Sequence, residues 1–394
     1  MSAHWRALCV LFLVRVTMAL QFQSVAALSP FIMTDFGVGL ADIGLLIGLY
    51  VSPGVIIALP GGAIGKRFGD KQAVAFGLVL MLAGGLLIAL VPHWEAQIAG
   101  RVLAGIGGVI LNVLMTKMLT DWFAGREIAT AMAIFVNSWP LGIAIGLAAL
   151  PPIAEAFGVP ATMGVIAAVI ALGLCLLIFG YQPATSTVAA GLSPTDSVSN
   201  PTTGLRGVAL ASIIVAGSIW GAYNAALSMI FSFGPALLVE RGWSAAAASA
   251  STSIVLWIFP ISGLLGGFLA NRLQRRELVL VVSFTAFAAL MFAIPSQENF
   301  VPIFIALGLC GGLAAGPIMS LPATVLRPET RAIGLGVYFT LFHIFTMLAP
   351  FAAGSIAEAL GTAEATFTMG GTLLVACLAL LATFKALQRR VPAA

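Results

Sequence analysis

The sequence predicts an all-α membrane protein of twelve transmembrane helices, built as two similar six-helix halves. Three observations carry this expectation. Sixty percent of the 394 residues are apolar and only 8% are charged, whereas an ordinary soluble domain carries about 25% charged residues. The apolar runs extend for about 20 residues without alternation, the length of helix that crosses a hydrocarbon layer. The second half of the chain also matches the first at one constant offset of 205 residues.

So little charge could not cover the surface of a soluble protein of this length. In hydrocarbon each unsatisfied backbone group costs several kcal/mol, so only helices or closed barrels can span it. The absence of a two-residue alternation excludes barrel strands. Reading polar and Pro/Gly breaks as loops places spans 1 to 12 at roughly 7–29, 43–64, 72–91, 97–118, 128–150, 162–180, 207–233, 245–269, 278–295, 301–325, 332–355 and 364–386. Span 1 carries Arg15 and is too long and too polar for a cleaved leader, so it reads as a retained helix. The stretch YQPATSTVAAGLSPTDSVSNPTTG at 181–204 is rich in Pro, Ser and Thr and reads as a flexible linker. The expected domains are an N-terminal bundle at 1–180, a cytoplasmic linker at 181–206 and a C-terminal bundle at 207–394.

Orientation follows from the basic residues, which concentrate in cytoplasmic loops. Fourteen of the eighteen Lys and Arg fall on one side of the predicted topology, and only Arg241 falls in a loop on the other. This asymmetry predicts cytoplasmic termini in a bacterial inner membrane. Trp5, Trp94, Trp122 and Trp243 stand at span ends, where amphipathic rings favour the lipid headgroups.

The 205-residue shift aligns Pro30 with Pro235, Gly61-Gly62 with Gly266-Gly267, Gly107 with Gly312 and Arg126 with Arg331. Repeats of the same topology enclose a midplane cavity that rocking can expose to either side. Other classes find no support. The basic residues form no patch interleaved with aromatics, so nucleic acid is not an expected partner. Cys9, Cys175, Cys310 and Cys377 lie apart in apolar runs, which predicts no metal site. No hydrolase, metalloprotease or phosphate-cradling motif is present, so neither an enzyme nor a cofactor is expected.

The segment GGAIGKRFGDK at 61–71 is similar to the cytoplasmic signature loop of the major facilitator superfamily through Gly62, Arg67, Gly69 and Lys71. A degenerate copy, GFLANRLQRR at 267–276, contains Arg272, Arg275 and Arg276, and RVLAGIGG from Arg101 resembles a second family motif. The resemblance covers the whole chain and implies alternating access by a functional monomer, with spans 1, 4, 7 and 10 lining the cavity. Lys66 and Asn271 stand where the family has Asp, and Asp70 could replace that acid only with a changed geometry. Arg126 and Arg331 complete the expected gating set. The combination of an Arg in span 1, the segment ALSPFIMTDFG and a Pro-Gly-rich span 2 looks most like the cyanate and nitrate type carriers of small anions.

Arg15 lies about 13 Å into span 1 at 1.5 Å per residue, and Arg101 about one turn into span 4. All fourteen carboxylates fall in loops or at helix ends. Burying an Arg in mid-span costs at least ~2.5–3.5 kcal/mol, so it needs a partner or a wet cavity. Both Arg15 and Arg101 could hold an anionic solute. The other readings are that Arg15 bonds helix carbonyls or reaches the surface, and that Arg101 braces span 4 against span 1, as the resemblance implies. Helical spacing puts Arg101, Gly105, Gly108 and Asn112 on one face. It likewise aligns Trp220, Asn224 and Ser228, with Tyr223 adjacent, while Asn137, Ser138 and Trp139 precede Pro140 in span 5. The stripe of Thr17, Gln21 and Ser24 points away from Arg15. Lys117 reads as snorkelling to the cytoplasmic surface. His343 suits proton coupling or a bond to Thr340 or a carbonyl. The expected binding set is thus Arg15, Arg101, Asn112, Asn137, Trp139, Trp220, Tyr223, Asn224 and His343. The expected function is secondary or facilitative transport of a small inorganic anion or short carboxylate, with protons or a counter-anion as coupling species. A proton-coupled exporter of drugs or metabolites is the alternative.

Overall fold

The computed structural model describes residues 2–57, 65, 67–123, 127–183, 207–327 and 330–389. Among these residues there are fifteen α-helices and no strand. Eleven segments are long and apolar enough to cross a membrane. One of them, Thr130–Gly180, has 51 residues, about 75 Å if straight and far more than one crossing needs. It divides at Gly158, whose φ of 81° and ψ of 165° are not helical and belong to a region open essentially to glycine alone. Pro151, Pro152 and Pro160 flank the division. This segment therefore supplies spans 5 and 6, which completes the twelve expected crossings.

The chain divides into two compact units, Met1–Gly37 with Leu49–Ser197 and Val38–Gly48 with Val198–Ala394. In the first unit, α1 (Ala3–Ala27) and α2 (Ser29–Phe36) form one broken crossing. Pro30 has no N–H for the carbonyl of Ala26, and the Ser29 hydroxyl donates to that oxygen instead at 2.9 Å. Span 2 is α3 (Leu40–Val51), which passes from one unit to the other, followed by the short α4 (Gly54–Ile57). Spans 3 and 4 are α5 (Asp70–Leu90) and α6 (Trp94–Phe123). They approach backbone to backbone, since a Cβ on Gly107 would lie 3.1 Å from the Gly77 carbonyl carbon. Span 5 is α7 (Ile128–Val136) with the part of α8 (Ser138–Cys175) before Gly158, and span 6 is the remainder of α8, which ends in a π turn at Leu176–Gly180.

The second unit contains α9 (Gly207–Glu240), α10 (Ala245–Leu273), α11 (Arg276–Ala293), α12 (Phe300–Gly312), α13 (Ala315–Met319), α14 (Arg331–Leu360) and α15 (Glu364–Gln388). Ser244 caps α10 by accepting the Ala247 N–H at 3.2 Å, which satisfies one orphan donor. The Val38–Gly48 segment groups here because its glycines admit α14: Gly44 faces the Pro350 backbone, Gly48 the Met347 carbonyl, and Gly354 the Leu40 carbonyl. The expected boundaries, which kept all of 1–180 together, did not anticipate this grouping.

The internal repeat is less regular in space than in sequence. Gly107 faces α5, but Gly312, its partner at offset 205, faces the Phe259 carbonyl and Ser262 on α10. The carbonyls of Tyr50 and Val255 correspond at that offset, yet they face Gly105 and Gly308. Those two glycines are two residues short of it. By this contact the fourth helices of the two halves correspond at an offset of 203, two fewer than the second helices.

Candidate solute-binding site

In α1 the polar stripe and Arg15 face different neighbours. Gln21 donates from Nε2 to the Met81 carbonyl of α5 at 2.8 Å, and Thr17 packs against Gly173 of α8. With the stripe bound inside the first unit, the other face of α1 turns Arg15 toward α6 and α7. The guanidinium donates from Nη2 to Asn112 Oδ1 at 3.0 Å and from Nη1 to the Phe135 carbonyl at 3.1 Å. It lies 4.6 Å from the centroid of the Phe135 ring. Its Nε is buried with no hydrogen-bond partner, and among the described residues no carboxylate pairs with it. Arg15 is half-buried, as is Asn112.

The Phe135 acceptor has a local cause. Pro140 lacks the N–H that would bond to Val136, and its ring crowds that carbonyl. The helix breaks one turn earlier, at Asn137, and the Phe135 carbonyl also accepts the Ser138 hydroxyl at 2.5 Å. Asn137 itself donates to Ala133 on its own helix at 3.0 Å. Trp139 is half-buried, with its ring 5.1 Å from that of Phe22.

Arg101 has a different place. It is only 1% exposed, and it donates from Nη1 and Nη2 to the carbonyls of Gln21 and Phe22 at 3.0 and 2.9 Å. The Tyr50 ring lies beneath it, 4.7 Å from centroid to guanidinium carbon. The face of α6 that carries Arg101, Gly105 and Gly108 is occupied by Tyr50: a Cβ on Gly108 would lie 2.9 Å from the Tyr50 hydroxyl. These contacts match the brace reading of Arg101 and not the anion-binding pair. Arg101 braces α6 against α1, and those glycines make room for an aromatic side chain of the protein.

In the second unit Trp220 is half-buried and stacks between Phe342 at 6.1 Å and Tyr223 at 5.8 Å. Tyr223 is fully buried, donates its hydroxyl to the Gly311 carbonyl at 2.7 Å and packs on Phe284 and Phe287. It is therefore a core residue and leaves the expected binding set. Asn224 is half-buried and donates to the Trp220 carbonyl at 2.8 Å. His343 Nδ1 lies 2.8 Å from the Phe339 carbonyl one turn back; the Thr340 hydroxyl is buried without a partner. Of the two bonds expected for His343, the one to a carbonyl is formed.

In the signature loop, Gly62, Lys66 and Arg126 lie outside the described residues, as does the side chain of Arg331, whose backbone begins α14. Arg67 is exposed beside Phe68, and Gly69 precedes α5. Asp70, in the first turn of α5, forms an ion pair with Lys117 of α6, which also lies 3.7 Å from Asp121. Lys117 is exposed, and these carboxylates meet its ammonium group at the helix end. Lys71 donates to the carbonyls of Ile178 and Tyr181, each at 2.8 Å. Arg272 is exposed beside Phe268. Sequence reasoning missed Phe135 and Tyr50. Pro140 was the available signal for the first, and nothing local marks the second.

A family profile described as Major Facilitator Superfamily matches residues 11–259 and 208–393. The chain belongs to this superfamily. It is 25% identical over 390 residues to the hexuronate transporter of Bacillus subtilis (strain 168), covering 93% of this chain and 90% of that protein. It is 31% identical over 150 residues to an uncharacterized transporter of Buchnera aphidicola, covering 38% of this chain and 37% of the relative. Among solved structures, the nucleoside transporter NupG aligns with a TM-score of 0.73 at 16% identity, over 97% of this chain and 99% of that one. This superfamily member is a multi-pass membrane transporter whose fold matches such a structure along its length.

Proposed function

We propose that this transporter moves a small anion, inorganic or a short carboxylate, by alternating access, and that Arg15 is its principal ligand. One observation carries the reading. Arg15 stands in a membrane-spanning helix, and its described partners are a neutral amide, a carbonyl and an aromatic face. An Arg at such depth is costly unless it meets water or a counter-charge, and an anionic solute supplies one. The similarity to a transporter named for hexuronate, a carboxylate sugar, supports the same class. Asn112 and Trp139 contribute beside Arg15 in the first unit, and Trp220, Asn224 and His343 are the candidate contacts of the second. The burial of Arg101 and Tyr223 supports a structural role for both.

On this reading the halves 1–180 and 207–394, joined by 181–206, rock about the site in a monomer with both termini in the cytoplasm of a bacterium. The signature-loop residues Arg67, Gly69, Asp70, Lys71 and Arg272 gate that motion, and protons or a counter-anion couple to it. The cyanate and nitrate type branch is the nearest precedent for the Arg-bearing first span. A second reading, export of amphipathic drugs, rests on the stack of Trp220, Tyr338 and Phe342. Uptake into proteoliposomes of labelled nitrate, cyanate, formate, lactate, glucuronate and a cationic dye separates the two. Saturable anion uptake that falls at least tenfold in Arg15→Gln is expected. Normal uptake by a folded Arg15→Gln protein, or uptake of the dye alone, refutes the anion assignment.

A further inference from the structure

We infer that Asn112 sets the charge selectivity of the site: its neutral amide occupies a position from which a carboxylate would neutralise Arg15. The inference rests on the anion reading above and deepens it, since it makes the solute a monoanion that supplies a missing negative charge. Asn112 comes from the middle of α6, one helical turn beyond Gly108, the nearer of the two glycines that admit Tyr50, and its Oδ1 already sits 3.0 Å from Arg15 Nη2. Aspartate is nearly isosteric with asparagine. At this residue it would place an anionic oxygen at the same distance with no rearrangement of the backbone. Such a half-buried, charge-assisted pair would satisfy the guanidinium from within the protein.

The structure contains the contrasting case. Near the end of the same helix Lys117 is exposed and paired with Asp70 and Asp121, so carboxylates compensate the cation there. At Arg15 the acceptors are Asn112 and a backbone carbonyl. These orient the guanidinium by hydrogen bonds and leave its formal charge intact. The Nε donor, buried and unpartnered, is held in reserve by the same arrangement. Orientation without neutralisation is what a reversible anion site requires, because an internal carboxylate would compete with every solute at an effective concentration no solute reaches.

The test compares the wild type with Asn112→Asp, Asn112→Ala, Arg15→Gln and the double variant Arg15→Gln/Asn112→Asp. Uptake of nitrate, formate, lactate and glucuronate and of lactamide, the neutral analogue of lactate, is measured in proteoliposomes, together with Tm in detergent. Asn112→Asp should lose at least tenfold in uptake of whichever anions the wild type carries, keep or raise its Tm, and carry lactamide no worse than the wild type. Asn112→Ala, which removes the oxygen without adding charge, should retain the preference for anions with a KM increase of a few-fold. The double variant, with a carboxylate and no guanidinium, should melt below Asn112→Asp. Wild-type anion uptake by Asn112→Asp overturns the inference, as does an equal loss in Asn112→Ala and Asn112→Asp. Normal uptake by Arg15→Gln instead overturns the anion reading beneath it.

Discussion

Replacing Arg101 by Met tests whether this cation is a brace or a ligand. The side chain makes two charged hydrogen bonds to the carbonyls of Gln21 and Phe22, each contributing about 1.5–3 kcal/mol. Its contact with the Tyr50 ring adds up to about 2 kcal/mol at a desolvated site. Much of this gross sum is offset. The variant no longer buries a guanidinium, and the Gln21 carbonyl keeps the Ser24 hydroxyl at 2.8 Å, so it is not orphaned. Met fills most of the volume and can touch the Tyr50 ring through sulfur. A net loss of about 3 kcal/mol is expected, which for a unit of this size lowers Tm by about 6–12 °C. Arg101→Lys, keeping the charge but not the forked geometry, should fall between. Thermal melting of the purified protein in detergent measures the shift, and uptake by the folded fraction should keep a KM within a few-fold of the wild type. An unchanged Tm combined with lost anion uptake would show that Arg101 meets the solute, and the brace assignment would be wrong.

Three further outcomes follow from the packing. Gly105→Val would press a branched side chain into the Tyr50 backbone, whose carbonyl carbon lies 2.9 Å from the position of a Cβ. It should cost at least about 1–3 kcal/mol, read as a lower Tm or loss of monodisperse protein; a wild-type melt would mean that the contact between α3 and α6 is looser than described. Gly158→Ala meets nothing nearer than the Pro160 ring at 3.8 Å, so its expected penalty of about 1–3 kcal/mol isolates backbone strain at φ 81°, and chemical denaturation should show no such loss if the turn can relax. Lys117→Met removes partly exposed ion pairs, which contribute about 0–1 kcal/mol. Its Tm should therefore move little, and a large loss of transport at unchanged Tm would assign the pair a gating role.

The number and length of the crossings were legible in the sequence because hydrocarbon imposes one rule on every segment: backbone groups must be satisfied within the helix. That rule acts locally, so apolar runs and Pro/Gly breaks were enough to place spans 5 and 6, even though they join as one continuous segment in space. The depth of Arg15 and the lack of a carboxylate at that depth could be read for the same reason. The partners of each polar side chain could not. Arg101 and Arg15 look alike along the chain, yet the first ends in two carbonyls and an aromatic face of its own unit, while the second keeps its charge uncompensated among the described side chains. Gly105 and Gly308, which make the same contact at an offset of 203 and not 205, show why the matching glycines misled: one offset along the sequence does not fix which residues take equivalent places once the helices pack. Burial of Tyr223 and the pairing of Lys117 with Asp70 depend on that same packing. Composition and periodicity therefore determined the solvent this chain folds in and the elements it forms. Only the packing of those helices decided which cation is structural and which remains available, because that distinction depends on contacts between residues as far apart as Arg15 and Phe135.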